Sequence, residues 1–189
     1  YILGKLLIKY GTKAKSNINL VELASNDLKY LANLVGETVN LGIKYGKNVL
    51  TVFSEEGESS ALVSKLIPVS PLHCSSIGKI FLSHLPNDEL LDYFQSDSIE
   101  KRTNNTITTY NEFLKVRKTI LKENISYDNE EYEYGLTCIA SPIRNKDNEI
   151  IAAVSVSSPT TRLQYKGIEY IKNNLIKTTE AIEKNIDYL

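Results

Sequence analysis

Between Leu136 and Ser158 two stretches of alternating residues flank Asn145-Lys146-Asp147-Asn148, a hairpin signal, and no other segment limits the fold as tightly. With Lys146-Asp147 as the tip, Arg144 faces Glu149, Ala140 faces Ala153, Cys138 faces Ser155 and Leu136 faces Ser157. Period-two alternation then gathers Cys138, Ala140, Ala153, Ser155 and Ser157 on one face. Ile139, Ile143, Ile150, Val154 and Val156 share the other, which is bulky, aliphatic and in need of a core. The first face is small and mildly polar and cannot fill space alone. Either a helix or backbone lies close against it, or a cavity remains. Ser155 and Ser157 stand about 6–7 Å apart there, and a buried hydroxyl left unpaired costs about 1–3 kcal/mol. A small polar ligand would supply partners; so would backbone groups under a tightly packed helix.

The rest of the chain supplies the layers. Leu20, Leu23, Ala24, Leu28, Leu31 and Val35 form the stripe of an amphipathic helix. Val39, Leu41, Ile43 and Tyr45 then alternate with small or polar neighbours, a half-buried strand. Gly46-Lys47-Asn48 turns the chain into a second strand over Val49 to Phe53. Ser54 to Ser60 reads as a loop, and Ala61 to Val69 as a third strand ended by Pro68 and Pro71. Ser75 or Ser76 caps a helix through Ile80, Phe81 and Leu85 that Pro86 halts, and Pro86-Asn87-Asp88-Glu89 opens another. A polar stretch from Ser96 to Thr106 leads to a helix carrying Tyr110, Phe113, Leu114, Ile120 and Leu121. Ile125 to Tyr127 reads as a short strand, Asp128 to Gly135 as an acidic loop, and Ile168 to Leu189 as a long closing helix. Grouped strands with helices before, between and after them predict an α+β fold with an antiparallel sheet.

Composition removes several classes. The 189 residues are 42% hydrophobic, enough for one domain with its own core. With 22 basic residues against 23 acidic, no basic surface is left to hold nucleic acid by charge alone. No apolar run reaches the roughly 18 residues of a membrane span, and the opening YILGKLLIKYG lacks a cleavage site for a secretory signal. Cys74 and Cys138 are too few for a disulfide framework, which fits a cytoplasmic protein. With no Met at any position, the chain reads as a piece of a longer one.

His73-Cys74 precedes Ser75-Ser76-Ile77-Gly78-Lys79 at a predicted helix start, where a thiol gains acidity. Two histidines and two cysteines without a CxxC pair do not make a zinc site, and His73 and His84 read as structural. Gly78-Lys79 lacks the full spacing of a phosphate loop, although free N–H groups at a helix start favour a carboxylate or phosphate. Asp128, Glu130, Glu131 and Glu133 read most simply as a solvated loop. No residue set demands catalysis, a metal or a cofactor.

Taken together, five ordered segments resemble the effector-binding domain of IclR-family transcriptional regulators. They are Tyr1-Ile2-Leu3-Gly4, Gly36-Glu37-Thr38-Val39-Asn40-Leu41, Pro71 to Lys79, Asp128 to Ala140, and Ser155-Val156-Ser157-Ser158-Pro159 with Arg162. The resemblance implies a GAF-like fold, an antiparallel sheet with helices on both sides, that binds a small metabolite, an organic acid or an aromatic one. It implies ligand contacts from Asp128, Cys138, Ser155 and Ser157 and from backbone amides at Ser76 and Ile77. Three of those side chains are ones the alternation places on a single hairpin face. It further implies residues 1–16 as a connection from an N-terminal winged helix-turn-helix domain, 17–189 as the effector-binding domain, operator DNA bound only through the former, and assembly as homodimers or homotetramers. Cys74, Ser75 and Ser76 stand where the family usually carries alanine, threonine or glycine, and Ser158 where glycine is common, so the effector is left open. Two other readings are a GAF-like redox enzyme with a cysteine nucleophile and an oligomerisation module without a ligand.

Overall fold

Gly36, at φ +65°, ends a helix at the point where the hydrophobic period changes from helical to alternating. In the computed structural model, which describes residues 19–58 and 68–186, that helix is α1, Asn19–Val35. Strands β1 (Thr38–Tyr45) and β2 (Asn48–Glu55) follow as a hairpin, then β3 (Val69–Pro71). Three helices come next: α2 (Ser76–Ser83), α3 (Asn87–Phe94) and α4 (Tyr110–Glu123), the last opened by a Thr109–Glu112 capping box. Strands β4 (Ser126–Asn129), β5 (Leu136–Arg144) and β6 (Ile150–Pro159) lead into α5 (Thr160–Lys166) and α6 (Ile168–Ile186). All pairings are antiparallel, in the order β3-β2-β1-β6-β5-β4. The α+β expectation holds.

Two apolar cores sandwich the sheet. On one side α1 and α6 cover Val39, Leu41, Ile139, Val154 and Val156. On the other, α2, α3 and α4 bring Ile80, Phe81, Leu90 and Phe113 together with Ala140 and Ala153. The bulky hairpin face thus meets two long helices, and the small face lies under α2.

Three local expectations are corrected. The hairpin does not turn at a two-residue tip. Asn145 N donates to Glu149 O (3.0 Å), Asn148 sits at φ +63°, and the register slips between Ile143 and Arg144. This is the geometry of a three-residue loop closed by a left-handed residue and a bulge. Cys138 therefore faces Ser157 and Ala140 faces Ser155. The displacement is two residues, an even number, so face membership survives it. Ile150 lies before the bulge and packs with the α2 side, not with Val154 and Val156. The third strand within the described residues is Val69–Pro71, a short edge strand, where a proline is tolerated. The rest of the expected strand from Ala61 and the connecting segment 1–16 lie outside the described residues. Helix α5 went unread because seven residues with one buried side chain, Leu163, carry no legible period.

Candidate functional site

The polar face of the sheet is built from two cross-strand rows. Asp128 on β4 pairs with Cys138 on β5, Cys138 with Ser157 on β6, and Ser157 with Thr38 on β1. Two residues along, Ser126, Ala140, Ser155 and Asn40 pair in the same way. Side chains directly opposite in an antiparallel ladder point to one face. Of the residues singled out in the sequence, Asp128, Cys138 and Ser157 are thus immediate neighbours, and Ser155 lies one row away.

Helix α2 overhangs these rows because its start is fastened from below. The Ser75 side chain accepts a hydrogen bond from Gly78 N (3.1 Å) and donates one to Pro71 O (2.8 Å). The first-turn amides of Ser76 and Ile77 are then among those with no partner inside the helix. A Cβ on Gly78 would stand 2.3 Å from Leu72 O, and one on Gly42 2.6 Å from a Val49 methyl and 3.1 Å from Ile77 Cδ1. Glycine at these two positions is what lets the turn, the helix and the sheet approach so closely.

The acidic segment is not a solvated loop, and that expectation is corrected. Glu131 is 4% exposed and forms a buried ion pair with Lys79, itself 2% exposed. Asp128 Oδ1 accepts hydrogen bonds from the backbone N–H groups of Glu131 (2.8 Å) and Tyr132 (3.2 Å). Thr103 and Thr106 hydroxyls donate to the Glu130 and Glu131 carbonyls (2.6 and 2.7 Å), and the Arg102 guanidinium lies 4.0 Å over the Tyr132 ring. The polar stretch before α4 thereby clamps the acidic one. A lysine inside the apolar run Ile77-Gly78-Lys79-Ile80-Phe81-Leu82 was the available signal, since a buried ammonium needs a counter-charge.

Burial pushes the Asp128 carboxyl up to about 7, Lys79 and the two backbone N–H groups offsetting part of it. Burial also pushes the Cys74 thiol up to about 12 and the Cys138 thiol well above its ordinary range, with the Asp128 charge adding to both. Each is a protonated thiol at neutral pH, poorly suited to nucleophilic attack. Burial lowers the pKa of His73, and both ring nitrogens are engaged, Nδ1 with Tyr93 Oη (3.1 Å) and Nε2 with Glu100 O (3.0 Å). His84 caps α2 and meets Arg144 (2.9 Å). Among the described residues no group of three or more His, Cys, Asp or Glu side chains is placed to hold a metal ion.

A family model described as bacterial transcriptional regulator IclR C-terminal matches residues 12–184. The chain belongs to the IclR family of transcriptional regulators and comprises its C-terminal, GAF-like domain. It is 29% identical to the DNA-binding transcriptional repressor YiaJ of Escherichia coli over 192 aligned positions, covering all of this chain and 68% of the relative. The crystal structure of the Thermotoga maritima IclR superposes with a TM-score of 0.86 at 30% identity, covering 100% of this chain and 76% of that one. The inducer-binding domain of an Acinetobacter PobR double mutant, in complex with 3-hydroxybenzoic acid, superposes with a TM-score of 0.77 at 25% identity, covering 86% and 96%.

Proposed function

We propose that this domain senses a small organic acid and, in the full regulator, passes its occupancy to a winged-helix domain that binds operator DNA. The acid's carboxylate docks at the Ser76 and Ile77 amides, and its remaining polar groups meet Asp128, Cys138, Ser155 and Ser157. The observation that carries this reading is the Asp128–Cys138–Ser157 row on the strands that α2 packs across, in a chain of this family. That PobR's inducer-binding domain holds a hydroxybenzoic acid supports an acid as the ligand class.

Asp128 would repel an anion if ionised. With its carboxyl raised to about 7, it is largely protonated below neutrality and donates a hydrogen bond to the acid instead. Binding acts on the operator only by differing between two domain arrangements. The assembly is a homodimer or homotetramer, to be read from sedimentation equilibrium.

A thermal-shift and calorimetric screen of small organic acids tests the reading. At least one should raise the melting temperature and bind stoichiometrically. A broad panel with no stabilising compound leaves the oligomerisation module as the better account. Turnover of an oxidant substrate that is lost in Cys138→Ser would favour the redox enzyme, against which the protonated thiols argue.

A further inference from the structure

Among the described residues, the buried side-chain oxygens without a hydrogen-bond partner are Thr38 Oγ1, Ser126 Oγ and Glu131 Oε2. Thr38 and Ser126 are 1% and 0% exposed and end the two polar rows, on β1 and β4 respectively. Glu131 lies at the β4 end, beside Asp128 and paired with Lys79 of α2. A buried polar atom without a partner carries a desolvation cost that a bound group can remove.

Beside these atoms runs a directed relay. Ser54 Oγ donates to Asn40 Oδ1 (2.8 Å), and Asn40 Nδ2 donates to Ser157 Oγ (3.2 Å). An amide nitrogen only donates, so Ser157 accepts here and its own proton points to the sulfur of its cross-strand neighbour Cys138. Two unpartnered hydroxyls and one unpartnered carboxylate oxygen call for ligand groups that donate and accept at a single atom. An alcohol does both. An unsubstituted aromatic ring does neither, and a phenol does so at a single hydroxyl, whereas a hydroxylated aliphatic acid can carry several.

We propose that β1 supplies a hydroxyl-reading half of the ligand site, centred on Thr38 and Asn40, which selects a hydroxylated aliphatic acid over an aromatic one. This rests on the sensor reading above and specifies its ligand. It also assigns β1 a direct role that the sequence resemblance does not.

Calorimetry on this chain with glycerate, threonate and gluconate, set against benzoate and 4-hydroxybenzoate, tests it. At least one of the three hydroxylated acids should bind about tenfold more tightly than either benzoate. Thr38→Val should weaken that acid about three- to tenfold while the melting temperature of the unliganded domain stays level or rises, because the variant keeps the shape and removes an unpaired buried hydroxyl. Asn40→Leu should narrow the preference between the two classes. Benzoates binding as tightly as all three hydroxylated acids would overturn the inference and leave the sensor intact. So would a Thr38→Val variant with lowered melting temperature and unchanged affinity. If no acid in a wider panel binds, the sensor reading itself falls and takes this one with it.

Discussion

Burial raises the Asp128 carboxyl from an ordinary 3.8 to about 7, which makes one residue report on pH twice. Between those values the folded chain holds a proton that the unfolded chain has released, so this residue's contribution to stability falls as pH climbs from about 4 to about 7 and is level above. Asp128→Asn keeps an oxygen for the Glu131 and Tyr132 N–H groups and removes the titration. The wild-type minus variant difference in unfolding free energy should therefore decline across that range in urea titrations. Affinity for an anionic ligand should fall as pH passes 7 in the wild type, and much less in the variant. Ser155 has a simpler expectation: Ser155→Ala should weaken acid binding about three- to tenfold with a stability change within about 0.5 kcal/mol. Asp128 reads in the sequence as part of a loop, whereas Ser155, with Cys138 and Ser157, could be assigned to one face from alternation alone. Their partners could not, because a left-handed Asn148 and a bulge decide the register and neither has a distinct spacing in the sequence.

Helix α2 links the site to the α-helical layer. A cap at Ser75 or Ser76 was legible as a helix start; that Ser75 is the cap, and that the helix is completely buried, was not. Gly78→Ala would drive a methyl into the Leu72 backbone at 2.3–2.4 Å, contacts that no side-chain rotation relieves. A loss of about 2–4 kcal/mol in unfolding free energy is expected, with weaker ligand binding as the Ser76 and Ile77 amides shift. An urea midpoint equal to that of wild type would show that the 71–75 turn is free to move. The acidic segment taught the opposite lesson. Four acidic residues in eight look solvated in any composition count, yet Lys79 and the Thr103–Thr106 hydroxyls, distant in sequence, hold two of them inside.

Glu37, fully buried at the start of β1, ties the chain's two halves together. It binds Arg162 of α5 through both oxygens (2.6 and 2.7 Å) and Lys166 at 2.7 Å. Burial alone would raise its pKa, but the hydrogen bonds from Arg162 and Lys166 more than offset that and lower it. The stabilisation is present above the ordinary value of 4.5 and fades as pH falls through the lower folded value. Glu37→Gln should cost about 1–3 kcal/mol at pH 7, the outer partners being partly solvated, and the deficit should shrink in acid. Equal stabilities at pH 7 would show that the cluster only balances its own desolvation.

The sequence by itself determined most element types, though not α5 or the extents of β3 and β4, together with the antiparallel sheet between helices and a hairpin with one aliphatic and one small polar face. Each follows from side-chain period, which is local. Only the tertiary structure decided that Cys138 stands between Asp128 and Ser157, that Lys79 neutralises Glu131 under α2, and that Thr38, Ser126 and Asn40 border the same face. Those facts depend on register and on charges brought together across 50 residues or more of chain, and no local pattern encodes which buried group will find its partner.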